Sequence, residues 1–205
     1  GTATVSLGRR VKVDFSSARK EYYPHPAHLP VVSPGTLRDD LFRRDFTINA
    51  MALQITGPGY GTLIDLFGGR QDLLNKELKI LHPVSFIDDP TRILRGIRFE
   101  QRYDFVFEKQ TLELLKSAVS KSMLEMVEPQ RLRDELILMF KEEKPLKIIK
   151  RMAQLTGFGF ISPKLSVGSD TYELILRLER CIAWFREHQT KTRVIDVWLV
   201  FFMGL

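Results

Sequence analysis

The sequence predicts an α+β fold in which a β-rich piece of roughly 80 residues precedes an all-helical piece. Apolar residues come first in short β-prone runs, punctuated by glycine and proline as far as Gly68-Gly69. From Phe86 they recur at helical spacing in six segments. The 205 residues are 44% hydrophobic and 27% charged, which supplies a core and argues against long disorder.

Taken in order, Thr4-Val5-Ser6-Leu7 and Val11-Lys12-Val13-Asp14-Phe15 are β-prone runs around Gly8-Arg9-Arg10, a predicted hairpin turn. Residues 22–36 hold Pro24, Pro26, Pro30, Pro34 and Gly35 and read as an irregular loop. Arg43-Arg44-Asp45 runs into the β-prone stretch Phe46-Thr47-Ile48-Asn49-Ala50, a rigid element able to aim charge into a cleft. Met51 to Ile55 and Thr62 to Leu66 read as a hairpin around Gly57-Pro58-Gly59-Tyr60-Gly61. Arg70 to Leu78 reads as a short helix. The helices that follow are Phe86–Arg102, Lys109–Val119, Gln130–Lys141, Pro145–Leu155, Thr171–Glu187 and Arg193–Met203, with a loop at 157–169.

Lysine and arginine number 31 against 25 acids, a net charge of +6, which favours an anionic partner without naming one. The single cysteine, Cys181, can form no internal disulfide and no cysteine-built zinc site, and it fits a reducing compartment such as the cytoplasm. The apolar run Trp198 to Met203 is too short to span a bilayer, and no signal-peptide pattern appears, so no membrane partner is expected. The chain opens at Gly1 and stops just after that run, and both ends look cut from something longer. His25 and His28 sit in the proline-rich loop and are weak metal candidates.

The densest chemistry lies at Asp88-Asp89-Pro90-Thr91-Arg92-Ile93-Leu94-Arg95-Gly96-Ile97-Arg98-Phe99. Asp89 suits an N-cap and Pro90 the first helical position. Ile93, Leu94 and Ile97 share one arc; Arg92 and Arg95 lie opposite, with Asp88 near them and Arg98 at the edge. Guanidinium forks suit phosphate oxyanions. An aspartate and an arginine one turn apart can also match the donor–acceptor edge of a nucleobase. A solvated face with i,i+3 ion pairs is the plainer alternative. In the earlier motif, Arg44 is a candidate phosphate ligand, and Asp45 is placed to orient it or to take a ribose hydroxyl; a surface Arg–Asp pair is again the alternative. Asp14, in an otherwise apolar strand, is a candidate Mg²⁺ ligand or simply a strand-end carboxylate facing water.

Together, Arg43-Arg44-Asp45-Phe46-Thr47-Ile48-Asn49-Ala50, Ile64-Asp65-Leu66-Phe67-Gly68-Gly69 and Asp89-Pro90-Thr91-Arg92-Ile93-Leu94-Arg95-Gly96-Ile97-Arg98-Phe99 resemble, in the right order, the motifs of class II tRNA nucleotidyltransferases. These enzymes add CCA, CC or the terminal A to tRNA 3′ ends and are relatives of bacterial poly(A) polymerases. The resemblance implies the C-terminal part of a polymerase-beta-like nucleotidyltransferase head over residues 1–84, a helical nucleotide-selecting neck over 85–155, and the start of an RNA-binding body over 156–205. It implies that Asp89 and Arg92 hydrogen-bond the base of incoming ATP or CTP, that Asp88 holds Arg92, that Arg44, Arg95 and Arg98 contact phosphates, and that Asp45 lies near the ribose. Asp88 stands where the family usually has Glu. Pro129-Gln130-Arg131-Leu132-Arg133-Asp134-Glu135-Leu136 is a looser match to a later helical motif, in which Arg131 and Glu135 are expected to support their own helix as i,i+4 partners.

The implied reaction is template-independent attack of a tRNA 3′-hydroxyl on the α-phosphorus of ATP or CTP, with Mg²⁺ as cofactor and pyrophosphate released. Lys141, Lys144, Lys147, Lys150 and Arg151 form a candidate RNA-binding patch, or a solvated helix face. The family's upstream motif, a Gly-Gly loop, an Arg-Asp pair and an Asp-x-Asp that holds the metals, does not precede Asp14. Asp14 matches only a later strand carboxylate and cannot alone hold two metal ions, so the isolated chain is expected to be inactive or nearly so. Arg98 to Tyr103 is similar to a variant found in terminal-A-adding members. A poly(A) polymerase and a non-catalytic RNA- or nucleotide-binding module are the competing readings.

Overall fold

A computed structural model describes residues 1–8, 11–188 and 195–205. Thr2–Leu7 (β1) and Val11–Ser16 (β2) pair antiparallel, with Thr4 opposite Asp14. Arg9 and Arg10 of the predicted turn lie outside the described residues. Val5, Val11 and Phe15 are exposed, so this hairpin stands off the core.

Arg19–Tyr22 (β3) then pairs antiparallel with Val31–Pro34 (β4), which corrects the expectation of an irregular loop over 22–36. The prolines mislead because a two-stranded ribbon has only edge strands, where a missing N–H is tolerated. Leu37–Phe42 (α1) starts with a capping box between Thr36 and Asp39.

The stretch after Asp45 is a 3₁₀ turn at Thr47–Asn49, where an extended run was expected. One oxygen of Asp45 accepts from the Phe46 amide and the Asn49 side chain, so the chain folds around its own carboxylate. Met51–Leu53 (β5) and Leu63–Asp65 (β6) form the expected hairpin. Gly69–Asn75 (α2) stops before the predicted Leu78 because Lys76 turns left-handed, with φ of 58°. Glu77–Leu78 (β7) instead pairs in parallel with Val106–Phe107 (β8), two segments too short to show a period.

The predicted helix over 86–102 is two helices, Ser85–Asp88 (α3) and Thr91–Tyr103 (α4). Asp89 between them is extended and ends α3, and its carboxylate accepts from the Thr91 amide and hydroxyl; Pro90, expected at the first helical position, is the N-cap of α4, one place later than the sequence suggests. Lys109–Ser120 (α5), Pro129–Phe140 (α6), Pro145–Leu155 (α7), Ser169–His188 (α8) and Val197–Met203 (α9) follow. The expected start of the last helix at Arg193 lies outside the described residues. Among the described residues, no helix is long and apolar enough to cross a membrane.

One core joins the β-rich and helical pieces. Phe46, Leu78 and Ile80 pack in a cluster with Ile93, Leu94 and Ile97 of α4, and with Phe140, Ile149, Ile175 and Phe201 of later helices. The apolar arc of α4 is therefore buried as predicted. Gly96 allows the close approach: a Cβ there would lie 2.7 Å from the Phe107 ring and 2.9 Å from that of Phe46. This contact fixes the opposite face of α4 against the segment that carries Asp45.

Candidate functional site

Between α4 and the Arg43–Asp45 segment lies an open cleft of about 600 Å³. Its walls carry six arginines, Arg19, Arg43, Arg44, Arg92, Arg95 and Arg131, against four acids, Glu21, Asp45, Asp89 and Glu135. The surplus of guanidinium suits a polyanionic ligand of nucleotide size.

Asp89 and Arg92 meet at this cleft. Asp89 Oδ1 is occupied by Thr91 and by Arg131 Nη2 at 2.7 Å. Among the described residues Oδ2 accepts no hydrogen bond, and it lies 4.0 Å from Arg92 Nε. Arg92 is only 4% exposed. Its Nη1 donates to Ser85 Oγ at 2.6 Å and its Nη2 to the Arg43 carbonyl at 2.8 Å, which leaves Nε beside Asp89.

The expectation that Asp88 holds Arg92 needs correction. Asp88 sits at the end of α3, makes no hydrogen bond to Arg92, and approaches His82 Nδ1 at 3.9 Å. Burial raises its carboxyl pKa, offset in part by Arg92. The break between α3 and α4 separates the two residues, and the shorter side chain does not bridge it. His82 is itself pushed down to about 4 by burial and by Arg92.

Arg44 lines the cleft half-exposed, steadied by the Asn49 carbonyl at 3.2 Å and Asp40 at 3.5 Å. Asp45 is buried, and its second oxygen accepts two bonds from Arg95, at 2.9 and 2.6 Å. Burial opposes its ionisation, but Arg95, Asn49 and the Phe46 amide outweigh that and hold its pKa below the usual carboxylate value.

Arg98 is a second correction, because it does not line the cleft. Six residues on from Arg92, it is rotated about 120° around the helix. It is buried, lies over the Phe99 ring, pairs with Glu142 at 3.5 Å and approaches Glu135 at 3.8 Å. Arg131 and Glu135 were expected to support their own helix; they reach other segments instead, Glu135 to α4 and Arg131 to the residues around it. Arg131 joins Asp89 to the Ala27 carbonyl, and Glu135 reaches Arg95 at 3.3 Å. Their i,i+4 spacing puts both on one face of α6 but carries no signal of which segments that face meets.

Asp14 stands on an exposed strand and accepts a bond from the Thr4 hydroxyl at 2.6 Å. Among the described residues, no group of three or more His, Cys, Asp or Glu side chains can hold a metal ion. Asp14 alone does not fit a Mg²⁺ site. In the basic patch, Lys147 is paired with Asp104, Arg151 holds Glu100 at 2.6 and 2.7 Å, and Lys150 lies over the Tyr172 ring. Lys141 and Lys144 are exposed and border a second cavity of about 580 Å³ together with Arg98.

Residues 1–79 match the poly A polymerase head domain, and residues 104–167 match the probable RNA and SrmB-binding site of polymerase A. A protein named A-adding tRNA nucleotidyltransferase from Geobacter sulfurreducens is 41% identical over all of this chain, which spans 23% of that protein. A protein of the same name from Halalkalibacterium halodurans is 43% identical over 96% of the chain, which spans 48% of it. The chain also superposes on a CCA-adding enzyme in apo form II with a TM-score of 0.91 and 42% identity, covering 99% of this chain and 47% of that one. A tRNA nucleotidyltransferase solved with a primer tRNA and an incoming ATP analog gives a TM-score of 0.85 at 35% identity, covering 100% of this chain and 56% of that one. With these motifs, this cleft and these matches, the chain belongs to the tRNA nucleotidyltransferase and poly(A) polymerase family.

Proposed function

We propose that the chain forms the nucleotide-choosing cleft of an enzyme that adds nucleotides to the 3′ end of tRNA, releasing pyrophosphate. The observation that carries this reading is the free acceptor Asp89 Oδ2 beside the donor Arg92 Nε, 4.0 Å apart at an arginine-rich cleft. Adenine and cytosine each present an amino donor next to a ring-nitrogen acceptor, which such a pair complements. Guanine and uracil present the opposite order, a carbonyl next to a ring N–H, and would set acceptor against acceptor and donor against donor. The choice of ATP or CTP then needs no template.

The remaining roles follow from position. Arg44 and Arg95 line the cleft where a triphosphate would lie and lower the cost of its charge. Arg98 supports the helix from behind. Residues 1–84 act as the later part of a head domain, 85–155 as the neck that chooses the nucleotide, and 156–205 as the start of an RNA-facing body. Relatives named A-adding match nearly the whole chain, so we assign addition of the terminal A with ATP as substrate. Nucleotidyltransferases in general use divalent metals, and the whole enzyme is assigned Mg²⁺ and a cytoplasmic setting. Asp14 has no companion ligand among the described residues, so these residues do not by themselves form that metal's site.

The test is product length. The full-length protein is given tRNA transcripts ending in the discriminator base, in C and in CC, with labelled ATP or CTP. A single A added to the CC end is expected. Addition of CC, or of long A tails on any RNA, would overturn the assignment.

A further inference from the structure

We infer that Ser85 is a positioning residue for nucleotide choice: its hydroxyl, with the Arg43 main-chain carbonyl, sets the orientation in which Arg92 meets a base. This rests on the reading of Arg92 given above. Ser85 is fully buried, at 0% exposure, and opens α3. A buried serine in a helix usually turns its hydroxyl back to its own backbone. Here Oγ instead receives the Arg92 Nη1–H at 2.6 Å, a short charge-assisted bond.

A guanidinium is planar, so two nitrogens held in place, with the side-chain stem as a third point, fix its plane. Ser85 holds Nη1, and the Arg43 carbonyl holds Nη2 at 2.8 Å. The third nitrogen, Nε, is then directed by geometry to the side of Asp89. The carbonyl belongs to the Arg43-Arg44-Asp45 segment and Ser85 to the helix before α4. The donor edge is thus set jointly by the Arg43–Asp45 wall of the cleft and by α3. With Ser85 removed, Nη1 loses its partner and the plane can rotate about the remaining bond. Arg92 would stay charged and near the ligand but would present its donors less selectively. The expected result is weakened discrimination with chemistry intact.

The experiment uses the full-length protein and its Ser85→Ala, Ser85→Cys and Arg92→Ala variants. It measures kcat and KM for ATP, CTP, GTP and UTP on tRNA acceptors, together with thermal melting. Cysteine nearly preserves the shape of serine but is a poor acceptor, so it separates packing from hydrogen bonding. Both Ser85 variants should stay folded at the assay temperature but melt a few degrees below wild type, because Arg92 Nη1 loses a buried partner in each. Both should raise KM for the correct nucleotide and reduce discrimination against GTP and UTP about tenfold, with kcat largely kept. Wild-type selectivity in Ser85→Cys would show that Ser85 only fills space and would overturn the inference. So would an equal loss of kcat for all four nucleotides. Unchanged preference in Arg92→Ala would instead overturn the base-reading role itself. A changed preference there with none in the Ser85 variants would sink this inference alone.

Discussion

Arg95 closes on Asp45 across 50 positions of sequence, donating Nε at 2.9 Å and Nη2 at 2.6 Å to one carboxylate oxygen. The other oxygen is taken by the Phe46 amide and Asn49. Asp45 is therefore fully bonded within the chain and ties the Arg43–Asp45 segment to α4. The ribose contact expected of it requires Arg95 to turn aside, and a triphosphate in the cleft offers Arg95 the alternative partner that would let it do so.

The pair should show itself in acid. A carboxyl held below its ordinary pKa in the folded state stabilises fully above the unfolded pKa, about 3.9, and loses that contribution as pH falls through the folded value. Asp45→Asn should cost about 2–3 kcal/mol near neutral pH, because Arg95 is left partly buried without its main partner. The gap from wild type should narrow progressively as pH drops below about 4. Urea unfolding at a series of pH values measures it. A gap independent of pH would show that the charge of Asp45 is not what stabilises.

Gly96→Ala tests how tightly α4 is seated. Helix propensity alone favours alanine by about 1 kcal/mol. Against this, the added Cβ would meet ring atoms of Phe107 at 2.7 and 2.8 Å and of Phe46 at 2.9 Å, all from buried side chains. Overpacking of this kind costs about 1–3 kcal/mol, so a net loss of stability is expected. Phe46 follows Asp45 directly, so the displaced ring should also loosen the Arg95 contact and raise KM for the nucleotide. A variant that melts higher than wild type would mean that the rings yield freely.

The helical piece was legible because its segments are long enough to show their period. Ile93, Leu94 and Ile97 fall on one arc in the sequence and in the core alike. Pairings between distant short segments were not legible. Nothing local in Glu77–Leu78 announces Val106–Phe107 as its partner. The site divides the same way. The residue types near Asp89 and Arg92 could be read from their spacing, whereas Ser85, Arg131 and Glu135 act through tertiary contacts that no spacing along one helix contains. Arg98 shows the converse error, since a residue on the edge of a predicted cationic face is drawn inward by acids from α6 and from Glu142 after it.

The same distinction between free and engaged charge divides the basic patch, and RNA binding should follow the division. Arg151 is committed to Glu100, which is only 6% exposed, so Arg151→Ala should act on stability, by about 2–3 kcal/mol, through the buried carboxylate left behind. Lys141 and Lys144 are exposed and make no ion pair among the described residues, so they are free to meet phosphates. Replacing both with alanine should leave melting unchanged, weaken tRNA binding by the full-length protein, and reduce the slope of log affinity against log salt by about 1–2. Titrations at several salt concentrations read that slope directly. An unchanged slope would place the two lysines in water. A shallower slope in Arg151→Ala as well would show that RNA can draw that arginine away from Glu100.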